Sequence, residues 1–408
     1  MSDPTQATRT TASSGTDGRG RVLYPATVLV AMGIGTLSLG IVFCASEVYQ
    51  ASPAQIGFLA ATWSFHYILG CLLVRPLGQR LRPRDSIAVA AMLMGCAVLP
   101  IVFLHRLMPV FLCYAAYGIA TAFFWPPLMG WLSTGSEGAQ LNRTMGRFNL
   151  CWSGGGIVGP ILAGVLSRYD PRLPVAAAGS FYLAAGLYVA WAGRGRADPV
   201  GVPPASCSSP DGALPPGPDE GGTVLRYPAW AGLFAAYLVL GLTFNVFPLA
   251  AQDQMGMSKP MVGVLLFIRA LATTLTLLVL GRTTAWHFRI SQMVIGLATF
   301  ALLMVALPFG TSPVAVGLLL AAVGALAAHG YVNSLFHGVA GSRQRAVRMA
   351  IHEALLSAGL VVGGACGGVV FQLAGYTAVC HTAAGVLALT AAAAAILALR
   401  LRQATPRG

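Results

Sequence analysis

With 408 residues, 56% hydrophobic and 9% charged, and a mean hydropathy of +0.72, the chain has too little polar surface to cover a folded domain in water, so its solvent is lipid. The formal net charge of +13 would suit a nucleic-acid partner, but its distribution along the chain places it at the faces of a bilayer and excludes one.

The first 20 residues are polar, carry Arg9 and Arg19, and are followed by an apolar run without a small-residue cleavage site. Residues 1–21 therefore read as a disordered cytoplasmic tail before an uncleaved first span. Spans of about 20 apolar residues are expected at roughly 22–45, 56–76, 86–104, 110–132, 148–168 and 173–193. A polar segment rich in Pro, Gly and Ser, residues 194–226, reads as a cytoplasmic linker. Six more spans follow at roughly 227–250, 260–280, 290–309, 312–336, 350–372 and 376–399, and residues 400–408 form a second tail. Ala, Gly and Leu dominate the spans without period-two alternation, so they are helices and not barrel strands. The expected fold is an all-α polytopic membrane protein with six-helix bundles at 22–193 and 227–399.

If both termini share one side, 20 of the 25 Lys and Arg residues fall there, in the tails and even-numbered loops. Arg106, Arg168, Arg172 and Lys259 fall opposite, and Arg269 falls inside a span. This bias places the termini and linker in the cytoplasm. Seven of the eight cysteines lie in spans and Cys207 lies in the linker, without CxxC or Cys/His clustering, so no metal or cofactor is expected. The chain carries no Walker A sequence, nucleophile elbow or HExxH, which leaves neither ATP-driven transport nor enzymatic hydrolysis a residue set.

The second six spans repeat the first. A shift of 206 residues lays Ser52–Gly57 over Ser258–Gly263, Glu47 over Asp253, Gly118 over Gly324 and Trp125 over Tyr331. A shift of 204 lays Ser153, Gly155, Gly159 and Gly164 over Ser357, Gly359, Gly363 and Gly368. Two near-equal offsets imply two bundles related by a pseudo-twofold along the membrane normal.

Span count, linker position and parallel halves make nearly the whole chain resemble the major facilitator superfamily. That family's GxxxGPxxGG mark in the fifth helix is matched by Gly155, Gly159, Pro160 and Gly164, with Ala163 replacing one glycine. Small residues permit close backbone approach and proline removes a helix hydrogen bond, which suits a hinge or simply tight packing. The family's basic loop between helices two and three is degraded here. Residues 75–85 keep Arg80 and Arg84, but Gln79 stands where the family has an Asp that latches the cytoplasmic side. The Arg that drug/proton antiporters carry in helix four is Tyr114 here.

A charge inside hydrocarbon costs about 2.5–3.5 kcal/mol on insertion scales, so it asks for a partner or a purpose. Arg269 stands near the middle of span eight, and by the resemblance faces the seam between the halves. There it could bind an anionic substrate bidentately, or serve in a structural ion pair. Glu353 is the one acid expected inside a span away from its outer end. It is a candidate for proton coupling, or for a salt bridge with Arg348; its repeat mate is Asn149. Trp125, beside the Pro126–Pro127 pair on span four, and His329, Tyr331 and Asn333 on span ten could stack on a planar substrate or form an interfacial belt. Asn149 and Trp152 on span five and Asn245 on span seven complete the expected lining.

The resemblance implies alternating-access transport of a small organic solute across a bacterial inner membrane, by a monomer, with protons as the candidate coupling ion. The fifth-helix motif leans toward efflux. An uncoupled facilitator or uptake permease, and a transport-inactive scaffold or sensor with the same fold, are the alternatives.

Overall fold

Backbone polar groups in lipid must be satisfied within the segment that carries them, and helices do this. A computed structural model describes residues 4–78, 82–134, 138–194, 223–342 and 345–404. Its helices are α1 (Pro4–Glu47), α2 (Pro53–Gly78), α3 (Pro83–Val98), α4 (Leu107–Ala122), α5 (Trp125–Ser133), α6 (Gly138–Tyr169), α7 (Leu173–Ala192), α8 (Arg226–Phe244), α9 (Phe247–Asp253), α10 (Lys259–Leu280), α11 (Ile290–Ala306), α12 (Pro313–Val339) and α13 (Arg345–Ala404). Among the described residues, eleven segments are long and apolar enough to cross a membrane. The last, Val347–Arg400, has 54 residues, about 80 Å of helix against a hydrocarbon core of about 30 Å. It therefore holds two crossings, and it breaks at Gly375, whose φ of 78° is open to glycine. That gives the expected twelve.

Two crossings are interrupted. The Pro126–Pro127 pair stops α4 at Ala122 and restarts the chain as α5, with Leu128 N donating to Phe124 O at 3.2 Å. Proline cannot donate to the ladder, so a break at this place is the local consequence of the sequence. The crossing that begins as α8 breaks at Asn245–Val246 and continues as α9, which has Pro248 in its first turn.

Large apolar side chains cover the outside: Leu72, Leu112, Leu187, Leu302, Leu318 and Leu389 are all more than 60% exposed. In water such a surface would drive aggregation; in a bilayer it is the solvated one. The interior is packed by small residues that bring backbones together.

The described chain divides into two compact units, one of Met1–Cys44 and His66–Ser208, the other of Ala45–Phe65 and Ser209–Gly408. The second unit thus includes residues 45–65, the end of α1 and the first half of α2. The reason is packing by glycine. A Cβ on Gly57 of α2 would collide with Gly364 O and lie 3.1 Å from Gly368 Cα in α13. Nearby, Lys259 Nζ donates to Glu47 Oε2 at 2.6 Å, and Ala54 N donates to Gln372 Oε1 at 3.3 Å.

α1 is helical from Pro4, and Arg19 Nη1 donates to Trp131 O and Thr134 O at 3.1 and 2.8 Å. The last carbonyls of α5 have no intrahelical partner, and a guanidinium at a helix C-terminus satisfies them and meets the negative end of its dipole.

Each unit repeats the other's internal packing. In the first, a Cβ on Gly155 of α6 would lie 2.6 Å from Val28 O and 3.0 Å from Met32 N of α1. In the second, a Cβ on Gly359 of α13 would lie 2.8 Å from Phe234 O and 2.9 Å from Leu238 N of α8. These partners differ by the same 206 residues that the repeat predicts. Gly159 on Gly35 and Gly363 on Leu238–Leu242 continue the two contacts one turn further on.

Candidate substrate site

In the second unit the deepest cation is placed by a glycine. A Cβ on Gly324 of α12 would collide with Arg269 O, so α10 approaches α12 closely at Arg269. Thr273 Oγ1 then donates to Gly324 O at 3.0 Å and to Arg269 O at 3.1 Å. The guanidinium carbon sits 3.7 Å from the ring centroid of Phe244, at the end of α8. This cation–π contact is worth about 0.5–2 kcal/mol. Arg269 Nε is buried and makes no hydrogen bond among the described residues, and no ion pair there joins Arg269 to Glu353. The structural pair with Glu353 is therefore not formed.

Around Arg269 the unit gathers aromatic hydroxyls and an acid. Tyr237 of α8 is within electrostatic reach of both Arg269 and Glu353, and its ring lies 6.4 Å from that of Tyr331 on α12. Tyr331 in turn meets His352 of α13 edge-on at 4.9 Å. His352 is held by Ser334, Oγ to Nδ1 at 2.9 Å, while its Nε2 is buried without a hydrogen bond among the described residues. Glu353 follows His352 on α13 and is accessible. Arg348 lies over the Trp230 ring, 5.4 Å from its centroid. The cluster thus offers a fork of donors, two phenols and one carboxyl around a face of aromatic rings.

The first unit holds a repeat-related arrangement without the charges. Trp125 meets Phe148 of α6 edge-on at 6.0 Å, and these residues align with Tyr331 and His352 at shifts of 206 and 204. Asn149, the mate of Glu353, is exposed on α6, as is Trp152 at 49%.

Other expected lining residues make hydrogen bonds within their own helices. Asn245 Nδ2 donates to Gly241 O at 3.0 Å, securing the end of α8 where the crossing breaks. His329 and Asn333 bond each other and lie on a different side of α12 from Tyr331. Arg84 Nη2 pairs with Asp85 Oδ1 at 2.7 Å, its own neighbour in sequence. Gln79 and Arg80 lie outside the described residues. Of the fifth-helix motif, Gly155 and Gly159 touch α1, Pro160 Cδ would lie 3.4 Å from a Cβ on Gly35, and Gly164 is buried.

The family model described as "Major Facilitator Superfamily" matches residues 23–216 and 229–408. The chain belongs to the Major Facilitator Superfamily. Membership makes it a multi-pass membrane protein of a transporter family, as the sequence resemblance implied. No curated protein matches the superfamily member in sequence. Among solved structures it is similar to a mutant form of the nucleoside transporter NupG, with TM-score 0.75 and 12% identity over 93% of this chain and 99% of that one. It is also similar to a bacterial homologue of the human lysosomal transporter Spinster in an inward-facing, occupied conformation, with TM-score 0.65 and 14% identity over 97% and 95%. At these identities the likeness shows the superfamily fold alone.

Phe244, Tyr237 and Ser334 were not among the expected site residues. In a membrane chain Phe and Tyr look like lining or belt, and the repeat offered no signal, since Tyr237 aligns with Ala31.

Proposed function

We propose that this superfamily member is a secondary active transporter of a small organic solute carrying a carboxylate, or a comparable planar pair of acceptors, on an aromatic or otherwise flat body. The observation that supports this most is Arg269, a guanidinium with no acid partner among the described residues and with a buried, unbonded Nε, set beside Tyr237 and Phe244. Such a charge is costly in hydrocarbon, and an anionic ligand would offset that cost with paired, charge-assisted hydrogen bonds. The aromatic rings would stack on the ligand's flat face. The reading places the protein in a bacterial inner membrane, with both termini and residues 194–226 cytoplasmic, and favours efflux on the fifth-helix motif. The Glu47–Lys259 pair and the Gly57 contact on α13 support alternating access, because they join spans one and two to spans eight and eleven at what this topology makes the outer end. Reconstituted into proteoliposomes, the protein should move benzoate faster than benzyl alcohol, and equal rates would count against the carboxylate reading.

Proton coupling is assigned to Glu353, the accessible acid of the cluster, which forms no ion pair among the described residues. A carboxyl that takes a proton on the acidic side and releases it inside changes charge once per cycle; glutamine does not. Glu353→Gln should therefore abolish accumulation driven by a pH gradient while leaving downhill exchange of solute. Gradient-driven transport with an unaltered pH profile would assign coupling elsewhere.

The topology is tested at Cys207 in the linker. A membrane-impermeant maleimide should label it only after lysis, with Cys207→Ser as the background control. Labelling in intact cells would reverse the orientation.

A further inference from the structure

The turn between α10 and α11, residues 281–289, folds its aromatic residues back onto α12. Trp286 is buried; its Nε1 donates to Leu280 O, the end of α10, at 3.1 Å, and its ring meets Phe336 of α12 edge-on at 5.3 Å. His287 stacks on Phe336 with ring centroids 3.8 Å apart. Phe288 then takes a φ of 55°. That left-handed backbone is costly for a bulky side chain and persists only where its surroundings hold it.

It is held from α12. Phe288 N donates to His337 Nε2 at 3.1 Å. A backbone N–H can only donate, so Nε2 carries no proton, and the proton of the neutral ring sits on Nδ1, which donates to Asn333 O at 3.0 Å. Both ring nitrogens are thus committed, and the residue is 0% exposed. The titratable groups that act on it are His287 from the turn and His329 from its own helix, and no acid is among them. Arg282 and Arg289, the other charges of the turn, are exposed. From α13, His352 bonds Ser334, and Arg348 lies over Trp230 of α8, whose Nε1 would lie 3.1 Å from a Cβ on Gly338.

We propose that His337 is a proton-operated latch: the neutral ring fastens residues 281–289 to α12, and a proton on Nε2 releases them. A protonated ring donates from both nitrogens, so Nε2–H would face Phe288 N–H and the bond is lost. With it goes the contact that holds a left-handed phenylalanine, and the backbone leaves that conformation. The turn is therefore secured while His337 is neutral and opens as the pH falls through its titration, a change that histidine makes near physiological pH. Opening frees the end of α10 from α12. In the topology proposed above this turn is cytoplasmic, so the latch responds to acid accumulating inside. The same two helices meet at Arg269 and Gly324, which connects the latch to the candidate substrate site. That connection rests on the Arg269 reading, whereas release of the turn does not.

The test is amide hydrogen exchange on the full chain in detergent, corrected for the intrinsic pH dependence of exchange. The Phe288 amide should be protected at about pH 7.5 and lose at least tenfold of that protection at about pH 5.5, while amides of α7 in the other unit keep theirs. His337→Gln can accept from Phe288 N through its amide oxygen at either pH, so its protection should persist in acid. His287→Gln removes the neighbouring histidine and should show the same acid loss as the native chain. The native comparison needs no variant, so the latch is tested even if His337→Gln does not fold. Equal protection at the two pH values, a loss shared equally by α7, an acid loss that persists in folded His337→Gln, or its disappearance in His287→Gln would each overturn the proposal.

Discussion

Arg269→Lys should weaken apparent substrate affinity at least tenfold while the protein stays folded and inserted. Lysine keeps the charge and can still lie against Phe244, so the structural term of about 0.5–2 kcal/mol is partly retained. What it loses is the planar fork that meets a carboxylate with two parallel hydrogen bonds, and a tenfold loss corresponds to about 1.4 kcal/mol. Substrate binding measured by scintillation proximity or tryptophan quenching reads the affinity, and a melting curve in detergent reads the fold. The rival role is separated by a double mutant. A structural partnership with Glu353 would make Arg269→Ala destabilising and Glu353→Ala a partial rescue. With no ion pair between them among the described residues, no rescue is expected. Unchanged affinity in the lysine variant together with rescue in the double mutant would remove Arg269 from the substrate site.

Gly159→Leu should reduce transport at least tenfold. A Cβ at this position would lie 2.5 Å from Gly35 C and 2.6 Å from Thr36 N. These are backbone atoms that cannot rotate aside, so α6 and α1 must part. Small-residue helix contacts draw their stability from close approach, because lipid offers no hydrophobic drive to hold helices together. The structure makes even Gly159→Ala disruptive at this contact. Gly156→Ala is the matched control, since its Cβ would meet nothing within 4 Å. Inserted protein is quantified by fluorescence-detected size exclusion and transport is normalised to it. Full transport by Gly159→Leu would show that the contact between α1 and α6 does not move in the cycle and tolerates separation.

The elements legible from sequence were those that the bilayer itself imposes. Lipid permits helices alone for such runs, so hydropathy located the crossings, and the small residues of spans five and eleven marked close helix approaches whose partners, α1 and α8, only the structure supplies. Gly375 divides α13 at the place where two apolar runs were read as separate spans. The site was only partly legible. Arg269 stood out because a charge in an apolar run is rare. Its neighbours Phe244 and Tyr237 did not, because aromatic residues are common in any membrane helix. Asn245 bonds its own helix one turn back, which only the structure shows.

Sequence alone determined the fold class, the doubled architecture and the positions of the unusual charges, since each follows from the solvent a residue type can tolerate or from a repeat in the chain itself. Tertiary structure decided which of those residues act together. On α12 the chain places His329, Tyr331 and Asn333 within five residues, but a helix turns about 100° per residue. His329 and Asn333, four apart, share one side and form a cleft with α11, whereas Tyr331 looks toward α8 and α13. Which neighbouring helix each side meets depends on close approaches such as that of Arg269 and Gly324. Those approaches belong to pairs of helices, and a linear pattern does not encode them.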